Sequence, residues 1–396
     1  MSPATAAAGG AAHPRTAPQQ PDWGDPELLA EVTRTLAGLP PLVTRAECAR
    51  LTEAVAEVER GRALLLQGGD CAERFRESGP EQVGAKLLQL YGLTAGMRAA
   101  TGLPAVPVGR LAGQYGKPRS APYERGADGR PVPAYRGDAV NSPAGDAAAR
   151  DPDPSRLLRA YACADRVLHE VRGSWRGRDP LERAYVSHEA LLLDYEQPLT
   201  RRDGTAAYAS SAHSVWIGER TRDPGGPHVA FAAGIANTVG VKLGPSITPA
   251  QAVRLSRLLN PDGRPGRLVF VVRLGATKVR TLLPEIVGEV TRRGTPVVWL
   301  CDPMHGNTVR LGSGPKTRPM EAILEEVVAF VRVLQAQRRH PAGLHLEMTP
   351  QDVTECVTAP RPHAGPPALP RYRTACDPRL NAGQAAEVVD RFVRVL

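Results

Sequence analysis

Short apolar runs that break off into a glycine or a charged side chain recur along this chain, and they leave few folds open. The sharpest is Val297-Val298-Trp299-Leu300, which follows Thr295-Pro296 and passes into Cys301-Asp302-Pro303-Met304-His305-Gly306-Asn307-Thr308. Four or five apolar residues bounded by turn signals read as a strand buried on both faces, as in a parallel sheet. Seven further runs read the same way: Ala63–Gln67, Ala105–Val108, His213–Ile217, Thr238–Val241, Leu268–Val272, Leu344–Leu346 and Tyr372–Ala375. Stretches of helical periodicity separate most of them, at Pro80–Ala100, Asp153–Arg172, from Thr248 onward, and at Pro284–Arg292, Glu321–Gln335 and Ala385–Leu396. Tyr185–Leu193 is read as a continuation of the helical chain. Strand–helix alternation implies a parallel sheet, and eight such units with polar strand ends predict an α/β fold of the (β/α)8 TIM-barrel type. No G-x-G-x-x-G follows the first strand, which argues against a dinucleotide fold.

Three segments are expected. Residues 1–22, rich in Ala, Pro, Gly and Gln, read as a disordered tail without the basic and apolar regions of a secretory signal. Residues 23–60 read as a helical N-terminal extension opened by Asp25-Pro26, and residues 61–396 as the catalytic barrel. No apolar run approaches the length of a membrane span. Six cysteines without a C-x-x-C pair favour a reducing cytoplasm over a disulfide scaffold. The formal charge of +9 comes from scattered basic residues rather than a block. That distribution predicts no nucleic-acid partner and no membrane partner, and it fits cations gathered in a pocket for small anions.

In a parallel barrel every strand's carboxyl end faces one rim. Read round that rim, the strand ends are Cys71, Arg110, Glu219-Arg220, Lys242, Arg273, His305, Glu347 and Asp377. One thiolate, one imidazole and two carboxylates combine soft and hard donors, a mixture suited to a divalent transition ion. Taken singly, each has a commoner structural explanation: a buried thiol, a helix cap, a rim salt bridge. Their occurrence at separate strand ends is what carries weight. The cations Arg110, Arg220, Lys242 and Arg273 predict a small polyanionic substrate, because guanidinium forks match phosphate and carboxylate oxygens. Lys117, Arg119, Ser120 and Asn141 on the long second loop form another anion-friendly group.

Gly68-Gly69-Asp70-Cys71-Ala72-Glu73, Gly113-Gln114-Tyr115-Gly116-Lys117-Pro118-Arg119-Ser120, Ser187-His188-Glu189, Trp216-Ile217-Gly218-Glu219-Arg220-Thr221-Arg222, Gly240-Val241-Lys242-Leu243-Gly244-Pro245-Ser246, Cys301-Asp302-Pro303-Met304-His305 and Thr374-Ala375-Cys376-Asp377-Pro378-Arg379 resemble the class II 3-deoxy-D-arabino-heptulosonate 7-phosphate (DAHP) synthases. The resemblance implies a TIM-barrel transferase of the shikimate pathway that condenses phosphoenolpyruvate with erythrose 4-phosphate and releases phosphate. It implies Cys71, His305, Glu347 and Asp377 as metal ligands, with manganese as the leading ion and cobalt, iron or zinc as alternatives. Arg110, Glu219, Arg220, Lys242 and Arg273 are implied as phosphoenolpyruvate contacts, with Glu219, Lys242 and Arg110 catalytic and Glu219 orienting the attacking water. Lys117, Arg119, Ser120, Asn141 and Lys316 are implied on the sugar-phosphate side. A homo-oligomer such as a dimer, a chorismate mutase partner and weak feedback by aromatic amino acids are further expectations. Two other readings stay open: an amino-DAHP synthase using an imino analogue of erythrose 4-phosphate, and a noncatalytic barrel kept as a binding partner.

Overall fold

Eight parallel strands close on themselves in the computed structural model, which describes residues 17–126, 129–204, 206–312, 314–358 and 369–396. They are β1 (Leu64–Gly69), β2 (Ala105–Arg110), β3 (Tyr185–Glu189), β4 (Ser214–Ile217), β5 (Thr238–Leu243), β6 (Leu268–Val272), β7 (Val298–Cys301) and β8 (Pro341–Glu347). Each pairs with its chain neighbour, and β8 returns to β1, so the order round the barrel is the order along the chain. The predicted TIM barrel is therefore the observed one.

One of the eight predicted strands is wrong and one was missed. Tyr185–Glu189, read as helical, is β3 and pairs with both β2 and β4. Ser187 and His188 are tolerated inside because each finds a partner. Gln67 Nε2 donates to Ser187 Oγ at 2.8 Å, and Ser187 Oγ donates to the Gly109 carbonyl at 3.0 Å. His188 pairs with Glu196 at 2.7 Å. Tyr372–Ala375, read as the eighth strand, joins no ladder. The Arg373 and Thr374 amides donate to one oxygen of the buried Glu355 carboxylate, at 3.0 and 2.8 Å, where a strand would need a neighbouring carbonyl.

The two predicted N-terminal helices are α1 (Pro26–Gly38), capped by Asp25, and α2 (Arg45–Glu59), which opens with a Thr44/Glu47 capping box. Helix α2 has a specific place. Leu51, Ala54, Val55 and Val58 pack among Leu65, Val106, Val269, Val298 and Leu300, the inward-facing residues of the strands. The helix is thus the apolar floor of the barrel, and the opposite rim is left for polar groups. A second apolar layer lies between the strands and the surrounding helices. The helix expected from Pro284 begins five residues earlier, at Val279, and runs through the proline. That costs one backbone bond near its start.

The tail expected over 1–22 extends into described structure at its end. Gln20 accepts a bond from the Leu193 amide at 3.0 Å and donates to the Leu191 carbonyl at 2.7 Å. Gln19 accepts from the Arg119 amide at 2.8 Å. Residues 17–22 are therefore laid against the loops that follow β2 and β3, and the loose-tail expectation fails there. Residues 1–16 and most of the Pro-rich stretch 359–370 lie outside the described residues.

Candidate active site

At the rim, Gly69 ends β1 with a φ of 150°, and an added Cβ would stand 2.9 Å from the Arg110 carbonyl oxygen. Only glycine fits, and this close approach sets Arg110 on one side of β1 and Glu347 on the other. The rim opens into a cleft of about 860 Å³.

Three of the four expected metal donors meet. One ligand atom each from Cys71, Glu347 and Asp377 lies within 4.8 Å of the others. His305 is the fourth neighbour, with Nε2 3.0 Å from Glu347 Oε1. Its other nitrogen, Nδ1, stands 2.7 Å from Asp302, which fixes the ring's direction. The Asp377 amide donates to Cys71 Sγ at 3.2 Å, tying the last of these segments to the first. Lys117, expected on the sugar-phosphate side, sends its ammonium into this group. Its Nζ lies 3.0 Å from Cys71 Sγ, 3.3 Å from Glu347 Oε1 and 2.9 Å from Asp377 Oδ2. A positive charge thus sits among the soft and hard donors, which is the test of whether they suit a cation, and they do. A thiolate, an imidazole and two carboxylates can hold a divalent transition metal.

The electrostatics agree. Burial alone would raise the Glu347 carboxyl, but His305, Lys117 and Arg318 hold it well below the usual range. Partial burial would likewise raise Asp377, but Lys117 and Arg318 among others hold it low. Burial and the neighbouring carboxylates push the Cys71 thiol up. A metal cation would offset that penalty, since a coordinating thiol is deprotonated.

The cation ring stands beside the donors. Arg110 is almost wholly buried and stacks on Trp216 at 4.9 Å. Its guanidinium donates to Glu347 at 3.1 Å and lies 2.6 Å from His345 Nε2. Lys242 pairs with Asp302, and burial together with Arg110 brings its ammonium down to about 8 despite that partner. Arg273 donates to the His305 carbonyl at 2.8 Å, and Arg220 is an exposed part of the lining. Ten lysines and arginines line the cleft against four aspartates and glutamates, so an anionic ligand is strongly favoured.

Two expected roles change. Glu219 accepts four hydrogen bonds, from Arg222 twice, the Gly244 amide and Ser246, two on each oxygen. That fills a carboxylate's acceptor sites, so Glu219 braces the loops after β4 and β5 and has no lone pair left to orient a water. Asn141 is not brought to the cleft. Its side chain donates to the Ala134 and Arg150 carbonyls and accepts from the Arg136 amide, which makes it a staple of its own loop. Arg119, Ser120 and Lys316 do line the cleft, and Lys316 reaches Asp377 at 2.7 Å.

Sequence reasoning missed Asp302, His345, Arg222, Arg318 and Glu189. Arg318 is fully buried, with Nη2 2.8 Å from Glu347 Oε2. Glu189 ends β3 and lines the cleft. Reading Tyr185–Glu189 as a strand would have put it among the rim residues.

The sequence matches the class-II DAHP synthetase family over residues 11–182 and 180–392. The chain belongs to that family. A phospho-2-dehydro-3-deoxyheptonate aldolase of Streptomyces coelicolor is 42% identical, with 94% of this chain and 93% of the relative covered. Phospho-2-dehydro-3-deoxyheptonate aldolase AroG of Mycolicibacterium smegmatis is 40% identical, covering 94% and 91%. The solved structure of a Francisella tularensis phospho-2-dehydro-3-deoxyheptonate aldolase superposes with a TM-score of 0.54 at 11% identity, over 92% of this chain and 95% of that one. At that identity the likeness supports the barrel alone.

Proposed function

We propose that this enzyme condenses phosphoenolpyruvate with erythrose 4-phosphate, giving DAHP and inorganic phosphate, with manganese as the working ion. The observation that carries the reading is the juxtaposition, in one cleft, of a mixed thiolate–imidazole–carboxylate donor set with buried cations. The family membership and the names of the relatives point the same way.

Arg110, Lys242 and Arg273 hold the phosphate and carboxylate of phosphoenolpyruvate, while Arg220 guards the open side. Arg119, Ser120 and Lys316 receive the sugar phosphate. Fixing the two substrates at this spacing turns a bimolecular step into a local one, which is where much of the acceleration arises. Held by Cys71, His305, Glu347 and Asp377, a divalent ion would supply Lewis-acid polarisation of the aldehyde oxygen. Lys117 bridges the two halves, its ammonium close enough to the donor set to balance it and to face an incoming oxyanion. Asp302 keeps both His305 and Lys242 in place.

The test is consumption of phosphoenolpyruvate with erythrose 4-phosphate present. EDTA should abolish it and manganese restore it. Activity that survives exhaustive metal removal would contradict the reading. The same assay with the imino sugar phosphate separates the amino-DAHP alternative, and light scattering measures the expected dimer.

A further inference from the structure

Of the four cleft carboxyls, Asp377 and Glu219 are assigned above and Glu124 pairs with Arg119 and Arg150, which leaves Glu189 without a task. Its Oε1 is buried and has no hydrogen-bond partner among the described residues. The space it occupies is made by Gly218 on the next strand's end, where an added Cβ would stand 2.0 Å from that oxygen. Its backbone is fixed, because the Glu189 amide donates to Gln114 Oε1 at 2.9 Å. Glu189 also borders a small internal cavity lined by Tyr115 and Tyr195, whose hydroxyls are likewise buried and unpartnered. An unpartnered buried acid is costly, and such a group at a cleft wall is often there to move a proton.

The condensation has a proton to move. When C3 of phosphoenolpyruvate bonds to the aldehyde carbon, the carbonyl π pair passes to oxygen, which needs a proton. When water then adds to C2, a proton must leave. We propose that Glu189 carries both: its carboxyl gives a proton to the aldehyde oxygen as the carbon–carbon bond forms, and its carboxylate takes one from the water that adds to C2. The C2–O bond to phosphate then breaks, and the C2 hydroxyl proton leaves with the phosphate. Glu189 ends as it began, and no outside acid or base is consumed. Glu219, four times hydrogen-bonded and held below the usual carboxylate range by Arg222 and Arg273 against burial, is the opposite kind of group. Burial raises Glu189, with Lys117, Lys242, Arg110 and His305 facing it and pulling the other way.

This assignment rests on the proposed condensation, so wild-type turnover is measured alongside; a wild type inert to both substrates would overturn both. The probes are Glu189→Gln and Gly218→Ala, whose methyl displaces the carboxyl. Binding is followed by quenching of tryptophan fluorescence on adding phosphoenolpyruvate, since Trp216 lines the cleft. For both variants kcat should fall about 100-fold or more while phosphoenolpyruvate affinity stays within about twofold. The decline of kcat on the alkaline side should vanish in Glu189→Gln. Turnover within about threefold of wild type, an unchanged pH profile, or loss of binding in step with kcat would overturn the assignment. Should Glu189→Gln not fold, Gly218→Ala decides by the same measurements.

Discussion

The two ends of the barrel are built from the same strands but obey opposite rules. At the floor, helix α2 seals an apolar interior with Leu51, Val55 and Val58. At the rim, Arg110, Lys117, Lys242 and Arg318 are buried beside Glu347, Asp377 and Asp302. Removing charges from water is expensive, and their mutual attraction repays it only when the geometry is right. The floor therefore holds the fold together, and the rim holds a costly charge pattern ready for ligands. Substitutions at one end should move stability, and at the other turnover.

The largest effect is expected from Glu347→Gln at the rim. It should lower kcat on the order of 10³-fold and weaken manganese binding measured by calorimetry. A variant with normal metal affinity would break the contrast. At the floor, Leu51→Ala should cost about 3 kcal/mol in urea unfolding while leaving both KM values unchanged. Lys242→Met should reduce kcat/KM for phosphoenolpyruvate by roughly 10²-fold. In the wild type the same parameter should fall as pH rises through about 8, because the ammonium that grips the anion is present below that value and lost above it.

His213 supplies a smaller test at the floor side. Its Nδ1 accepts from the Val186 amide at 3.0 Å, and its ring packs on Trp175 and Tyr185. Burial brings it from 6.5 down to about 4, against the pull of Glu47. The unfolded chain then binds a proton that the native chain refuses. The stability His213 contributes is complete above pH 6.5 and lost as the pH falls toward 4, by about 3 kcal/mol. His213→Gln should flatten that part of a stability–pH curve. The smallest effect belongs to Gln19→Ala. Loosening the Arg119 loop should raise KM for erythrose 4-phosphate about threefold, with phosphoenolpyruvate unaffected.

The floor was easier to read than the rim. Helical spacing in Thr44–Glu59 and the apolar runs disclose the barrel because hydrophobic periodicity is a local property. Cys71, His305 and Glu347 were also legible at the rim, since each closes or follows a barrel strand, whereas Asp377 was expected there through Tyr372–Ala375, a strand that does not form. What escaped depended on partners far away in sequence. Ser187 looks too polar for a strand until Gln67, 120 positions earlier, is seen to donate to it. Tyr372–Ala375 looks like a strand until Glu355 takes its amides. Asn141 looked like a ligand contact because a loop asparagine gives no hint that its own backbone has claimed it. Missing β3 hid Glu189 as well.

Cys71 and Asp377, whose Sγ and Oδ2 lie 3.8 Å apart, are separated by 306 positions. The thiol emerges early in synthesis and the carboxylate just before the last helix. A nascent chain that stops before Asp377 cannot assemble the proposed four-donor pocket, however well its first strands fold. On the proposed function, a fragment truncated before Asp377 should neither capture the ion nor commit phosphoenolpyruvate.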